Sequence, residues 1–176
     1  AAAELLAQLE HDPDASAVAI ATTTDIAIAI NEALAIQRPK LNRQHILDES
    51  IHHAVIVVDP NGIECCNTAA SEHLVILSDN ATAIRKQVTH AGSIFCGPYT
   101  PVTLGDYIAG PNHVLPTQRA ARFSSPLGVM DFMKYSSHLS YSKSALSAVA
   151  DDVNTLTTAE GFDAHNAAVT VRLNHE

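Results

Sequence analysis

Residues 54–97 read AVIVVDPNGIECCNTAASEHLVILSDNATAIRKQVTHAGSIFCG, and three apolar runs inside this stretch decide the fold. AVIVVD at 54–59, HLVILS at 73–78 and GSIFCG at 92–97 are each too short for a buried helix, and all three carry β-branched residues, so each predicts a strand. Between them the pattern predicts one helix reaching about Ala70 and another over Ala81–His90. Continuous apolar strands alternating with helices imply parallel pairing, because parallel strands need a crossover and their sheet is covered on both faces. The expectation is therefore an α/β chain with a parallel, doubly wound sheet and helices on both faces. Ligands of such sheets sit beyond the carboxyl ends of the strands.

Toward the amino end, SAVAIA at 16–21 predicts a further buried strand, and AAAELLAQLEH at 1–11 a helix with Leu5, Leu6 and Leu9 on one stripe, broken by HDPD. Asp25 is expected to cap a helix that carries Ile26, Ile30, Ala33 and Leu34 on one face and ends at Pro39. Its IAIAI stretch alternates like a strand as well. A polar segment, Asn42–His52, reads as helical. Toward the carboxyl end, Gly97–Ser125 is loop-like, with the string GDYIAGPNHVLPT, and a long loop in a compact domain is usually functional. Beyond Ser125, Leu146, Val149, Val153 and Leu156 form a helical stripe, and a last helix runs through Ala164, Ala168 and Val171. The predicted organisation is an α/β portion over residues 1–127 and a mainly helical C-terminal tail over 128–176. With little core of its own, that tail is expected to pack on a partner subunit.

A chain of 176 residues with 47% hydrophobic side chains can bury one good core. Its formal net charge of -9 repels phosphate backbones and anionic membranes, which argues against nucleic-acid and membrane-surface partners. Apolar runs such as Ala54–Val58 are too short to span a bilayer, and no charged and then apolar leader opens the chain. The expectation is a soluble, cytoplasmic protein. The odd set Cys65, Cys66 and Cys96 holds no CxxC pair, so neither a disulfide framework nor a thiolate zinc knuckle is expected. GxGxxG, P-loop and GxSxG strings are absent, so no recognisable nucleotide site lies in these residues.

Ten histidines are many for this length, and several sit beside carboxylates. Gln8 and His11, three apart on the opening helix, share a face and could reach one ion or simply form a surface patch. Glu72 and His73 place two proton-transfer groups at the mouth of a strand, where a solvated entry is the alternative. Asp106 and His113 lie in the long loop, where burial would demand partners or a metal. Glu160 and His165 flank a helix boundary in AEGFDAH. Together these residues offer oxygen and nitrogen donors without thiolate, the composition of a catalytic zinc site with open positions. His45, His52, His53, His90, His138 and His175 have no comparable setting and are assigned to the surface or to helix ends.

QLEHDPDA at 8–15, SEHL at 71–74, AGSIFCGPYTPVTLGDYIAGPNHVLPT at 91–117, ARFSSPLGVMDFMK at 121–134 and AEGFDAHNAAVTVRL at 159–173 resemble histidinol dehydrogenase, in that family's order and approximate spacing. The resemblance implies an incomplete Rossmann-like sheet and the zinc-bearing, C-terminal portion of an enzyme that oxidises L-histidinol through an aldehyde to L-histidine. That oxidation removes four electrons and reduces two NAD. By the same resemblance Gln8, His11, Asp106 and His165 match the zinc ligands, the last reaching the metal of a partner subunit in a homodimer. Glu72 and His73 match the acid/base pair, and His113 and Glu160 match residues that hold the substrate. The substrate-binding set it implies is Gln8, His11, His73, Asp106, His113, Glu160 and His165.

Ser71 departs from the proline common in the family, which loosens the turn before Glu72 but removes no reactive group. The family's NAD-binding domain and a substrate-contacting serine precede the point where these residues begin, and the chain opens without Met. It is therefore expected to be a portion of the enzyme, with no cofactor-binding residue of its own and little or no activity alone. A free-standing relative that binds zinc or a small molecule without redox chemistry would not need Glu72 and His73. A purely structural oligomerisation piece would show no dependence on zinc.

Overall fold

The computed structural model describes residues 1–174, so His175 lies outside the described residues. The chain folds as two compact units, Ala1–Phe132 and Met133–Glu176.

The first unit is built around a core that the opening helix supplies. Helix α1 (Ala2–Leu9) buries Ala2, Leu5, Leu6 and Leu9, the spacing of one helical face. It ends where Asp12 Oδ1 accepts a hydrogen bond from the Asp14 amide at 2.9 Å, a turn that competes with further helix. Strand β1 (Ala17–Ala21) turns Ala17, Ala19 and Ala21 into the same core, while Val18 on the opposite face stays 48% exposed. Helix α2 (Thr24–Gln37) buries Ile30 and Leu34. Its cap is Thr23, whose hydroxyl accepts from the Ile26 amide, and not Asp25 as the sequence suggests. Thr23 has the extended backbone a cap requires, whereas Asp25 lies inside the first turn, where its charge meets the positive end of the helix dipole. Ile26, placed by periodicity on the buried face, is 45% exposed. A 3-10 turn, Arg38–Lys40, follows around Pro39. Helix α3 (Gln44–Ser50) buries Leu47 completely, and its Ser50 hydroxyl donates to the Leu9 carbonyl at 2.8 Å, satisfying an end group of α1.

Strand β2 (Ala54–Val58) pairs parallel with β1, Ala17 opposite Ala54 through Ala21 opposite Val58. Helix α4 (Ile63–Ala69) leads to strand β3 (His73–Ile76), helix α5 (Ala81–Arg85) and strand β4 (Ser93–Cys96). β3 and β4 form a second parallel pair, His73 opposite Ser93 through Ile76 opposite Cys96. The predicted strands and their parallel sense are present, but they make two separate two-stranded sheets in place of one doubly wound sheet. A continuous apolar run does not encode which strand is the neighbour, and the outward Val18 and Val55 are about half exposed rather than covered by a second helical layer.

Two further expectations change. The helix predicted to reach His90 stops at Arg85, because the Asn67 side chain captures the following chain. Its amide donates to the Gln87 carbonyl at 3.1 Å and its oxygen accepts from the Thr89 amide at 2.8 Å. The long segment after Gly97 is not all loop: helix α6 (Val102–Tyr107) lies within it and carries Asp106.

The second unit consists of helices α7 (Lys143–Ala148), α8 (Ala150–Glu160) and α9 (Asp163–Asn174). Thr157 is its one buried side chain among the described residues. The stripe expected from Leu146 to Leu156 fails at its end, with Leu156 65% exposed. Val149 leaves helical geometry between α7 and α8, so the period does not run across the break.

Candidate active site

His73 opens β3, and the ladder extends one step beyond the strand ends to hold the residue before it. The Ser93 amide donates to the Glu72 carbonyl at 2.8 Å and the Gly92 amide to Ser71 at 2.9 Å. A Cβ at Gly92 would lie 2.6 Å from the Glu72 carbonyl oxygen and 3.0 Å from the Pro116 ring, so only glycine permits this approach. The backbone of Glu72 and His73 is thereby fixed from β4 and from the segment carrying Pro116.

Helix α6 approaches the same place. A Cβ at Gly105 would stand 2.7 Å from Phe95, which is buried on β4, so the missing side chain lets α6 close onto the strand pair. Asp106, the next residue, then places Oδ1 3.7 Å from His73 Nε2, with both side chains only 14% exposed. That distance is too long for a hydrogen bond. His113 Nδ1 reaches the same Asp106 oxygen at 3.1 Å, from a side chain that is 65% exposed. The His73 ring lies 6.0 Å from that of Phe95, and both its nitrogens are buried without a hydrogen-bond partner. Buried polar atoms are normally satisfied, so a histidine in this state is poised for a group that approaches it.

Gln8 sits half-buried in the last turn of α1 and His11 is exposed just past its end, with the His11 amide bonded to the Gln8 carbonyl at 3.3 Å. Neither side chain makes a hydrogen bond or ion pair to Asp106 among the described residues. In the second unit, Glu160 ends α8 and His165 lies in the first turn of α9, both exposed. Gly161 between the helices takes the left-handed conformation, φ 74°, and His165 stacks on Phe162 with ring centroids 5.1 Å apart. The structure thus gathers His73, Asp106 and His113, fixes Glu72 beside them in sequence, and holds the remaining candidates on or just past α1 and in the second unit.

No group of three or more His, Cys, Asp or Glu among the described residues forms a metal cage. Nitrogen and oxygen donors without thiolate do suit zinc with an open position, and on that chemistry the residues fit the ion. Sequence reasoning gave no role to Gly92, Phe95 or Gly105. The two glycines offered a signal, standing just before the strand that pairs with His73 and just before Asp106.

The family model for histidinol dehydrogenase matches residues 1–173. Histidinol dehydrogenase of Caldanaerobacter subterraneus subsp. tengcongensis is 45% identical over 97% of this chain and 41% of its own length. That of Clostridium acetobutylicum is 44% identical over 97% and 41%. The crystal structure of histidinol dehydrogenase from Elizabethkingia anophelis superposes with a TM-score of 0.89 at 30% identity, covering 98% of this chain and 40% of that one. A mixed α/β protein with carboxylates and imidazoles gathered at the mouth of a parallel strand pair is the class these findings describe. The chain belongs to the histidinol dehydrogenase family, and it spans about two-fifths of the length of the curated relatives it matches.

Proposed function

We propose that this chain supplies the metal ligands and the acid/base pair of a histidinol dehydrogenase, an oxidoreductase of histidine biosynthesis, while NAD is bound by chain outside these residues. The observation that carries the reading is the meeting of His73, Asp106 and His113, with both buried nitrogens of His73 unpartnered.

Gln8, His11, Asp106 and His165 would hold zinc, with His165 contributed to a partner's site in a homodimer. Zinc held there would supply a Lewis-acidic centre against which L-histidinol could be oriented. His113 and Glu160 hold the substrate. His73 accepts the hydroxyl proton as hydride leaves the carbinol carbon for the first NAD, giving histidinal. Glu72 then takes a proton from the water that adds to the aldehyde and delivers it to the former carbonyl oxygen, giving the hydrated aldehyde. A second hydride leaves the hydrated carbon for the second NAD while His73 again takes the hydroxyl proton, giving L-histidine. His73 must shed its proton between the two steps, and a partly exposed His113 across Asp106 offers an outward direction for it. The exposed Leu156, Phe162 and Val171 of the second unit support a subunit interface there. Free Cys65, Cys66 and Cys96 are in keeping with a reducing cytoplasm.

Calorimetric titration of the metal-stripped chain with zinc, then of the zinc-loaded chain with histidinol, tests the reading. Zinc binding near one ion per chain, with histidinol bound only in its presence, is expected. Failure of both removes these residues from the ligand list for the isolated chain. NAD reduction by the isolated chain is expected to be negligible, and clear turnover would overturn the placement of the cofactor site elsewhere.

A further inference from the structure

Glu4 carries an interaction that the roles above do not use. Helix α6 begins after Pro101, whose side chain has no acceptor for the orphan amides of the first turn. Glu4 Oε2 instead accepts from the Val102 amide at 3.2 Å, across 98 residues of sequence. On α1, Gln8 lies one turn beyond Glu4 on the same face, and on α6, Asp106 lies one turn beyond Val102. Helix α1, which carries Gln8 and leads to His11, is therefore tied to helix α6, which carries Asp106, by a side-chain-to-backbone hydrogen bond.

We propose that Glu4 is a positioning residue for the metal site, bracing α6 against α1 so that Asp106 is held in register with Gln8 and His11. The proposal rests on the ligand reading given above. What the brace requires is an acceptor oxygen at the right reach, not a negative charge. An amide oxygen on the same stem can serve, and a side chain one methylene shorter cannot.

The experiment titrates the metal-stripped full chain with cobalt(II), whose visible absorption follows its coordination geometry, and compares it with Glu4→Ala, Glu4→Asp and Glu4→Gln. Partners that orient first ligands change metal affinity by about 10–100-fold when removed. Glu4→Ala and Glu4→Asp are expected to lose at least about tenfold in cobalt affinity and to alter the spectrum at saturation. Glu4→Gln keeps affinity and spectrum close to the unaltered chain. Should Glu4→Ala lose its helical circular dichroism, the Asp and Gln variants decide by themselves. Equal binding by all variants overturns the brace and leaves the ligand set standing. A folded Glu4→Gln as weak as Glu4→Asp likewise overturns it, since charge and not the hydrogen bond would then be at work. No cobalt binding by the unaltered chain overturns the ligand reading and the brace together.

Discussion

A methyl group at Gly105 would meet the Phe95 ring at 2.7–2.8 Å, and Phe95 is 7% exposed, with little room to turn away. Gly105→Ala should therefore push α6 off the strand pair, costing about 1–3 kcal/mol as overpacked interiors do. Because Asp106 moves with the helix, the zinc affinity proposed for this site should fall as well. Urea unfolding and zinc calorimetry on the variant check both parts, and unchanged values would mean that α6 approaches less closely than its contacts imply. A second single-residue effect concerns Cys66, whose thiol is pushed above its ordinary value of 9.0 by burial, then by the neighbouring Cys65 and Asp59. Burial disfavours the thiolate in the fold, so its contribution to stability is complete below the ordinary thiol range and declines as pH rises past it. Iodoacetamide should accordingly modify Cys66 more slowly in the native chain at pH 8 than in urea, as peptide mass mapping would show. Asp106 and His113 could be singled out from GDYIAGPNHVLPT. Their meeting at His73 could not, because it depends on Phe95 and Gly105 allowing two distant segments to close.

At the scale of elements, local chemistry was legible where a motif is short and self-contained. The Leu5, Leu6, Leu9 stripe gave α1, and the apolar runs gave the strands and their parallel sense. Boundaries were lost where a distant side chain intervened, as Asn67 does beyond α5, or where adjacent residues compete for one role, as in the TTTD run before α2. The Thr23 cap yields a direct prediction. Thr23→Ala should cost about 1 kcal/mol, the usual value for removing a capping oxygen, while Asp25→Ala should cost less because only a screened charge–dipole attraction is lost. Denaturant midpoints at unchanged slope measure the difference. The reverse ranking would return the cap to Asp25.

The whole molecule divides unevenly in stability. The first unit holds α1, β1, α2 and α3 around a shared core, whereas the second has Thr157 as its one buried side chain among the described residues. Amides of α7–α9 should therefore exchange with deuterium well before those of α1 and β1, because local opening is easiest where few apolar contacts are lost. Equal protection in the isolated chain at low concentration would show that this unit is stable by itself. If His165 completes a partner's zinc site as proposed, zinc and dimerisation should slow exchange in α9, where it lies.

The division of the strands into two parallel pairs has a consequence for handling the chain. Each strand pairs with one neighbour only, so each pair has two edges without a further strand among the described residues, and open edges are templates for stacking onto another copy. Val18, Val55 and Val58 near one such pair add apolar surface to that tendency. Concentrating the chain by itself should therefore promote self-association along those edges, and whatever covers them would act as a solubiliser.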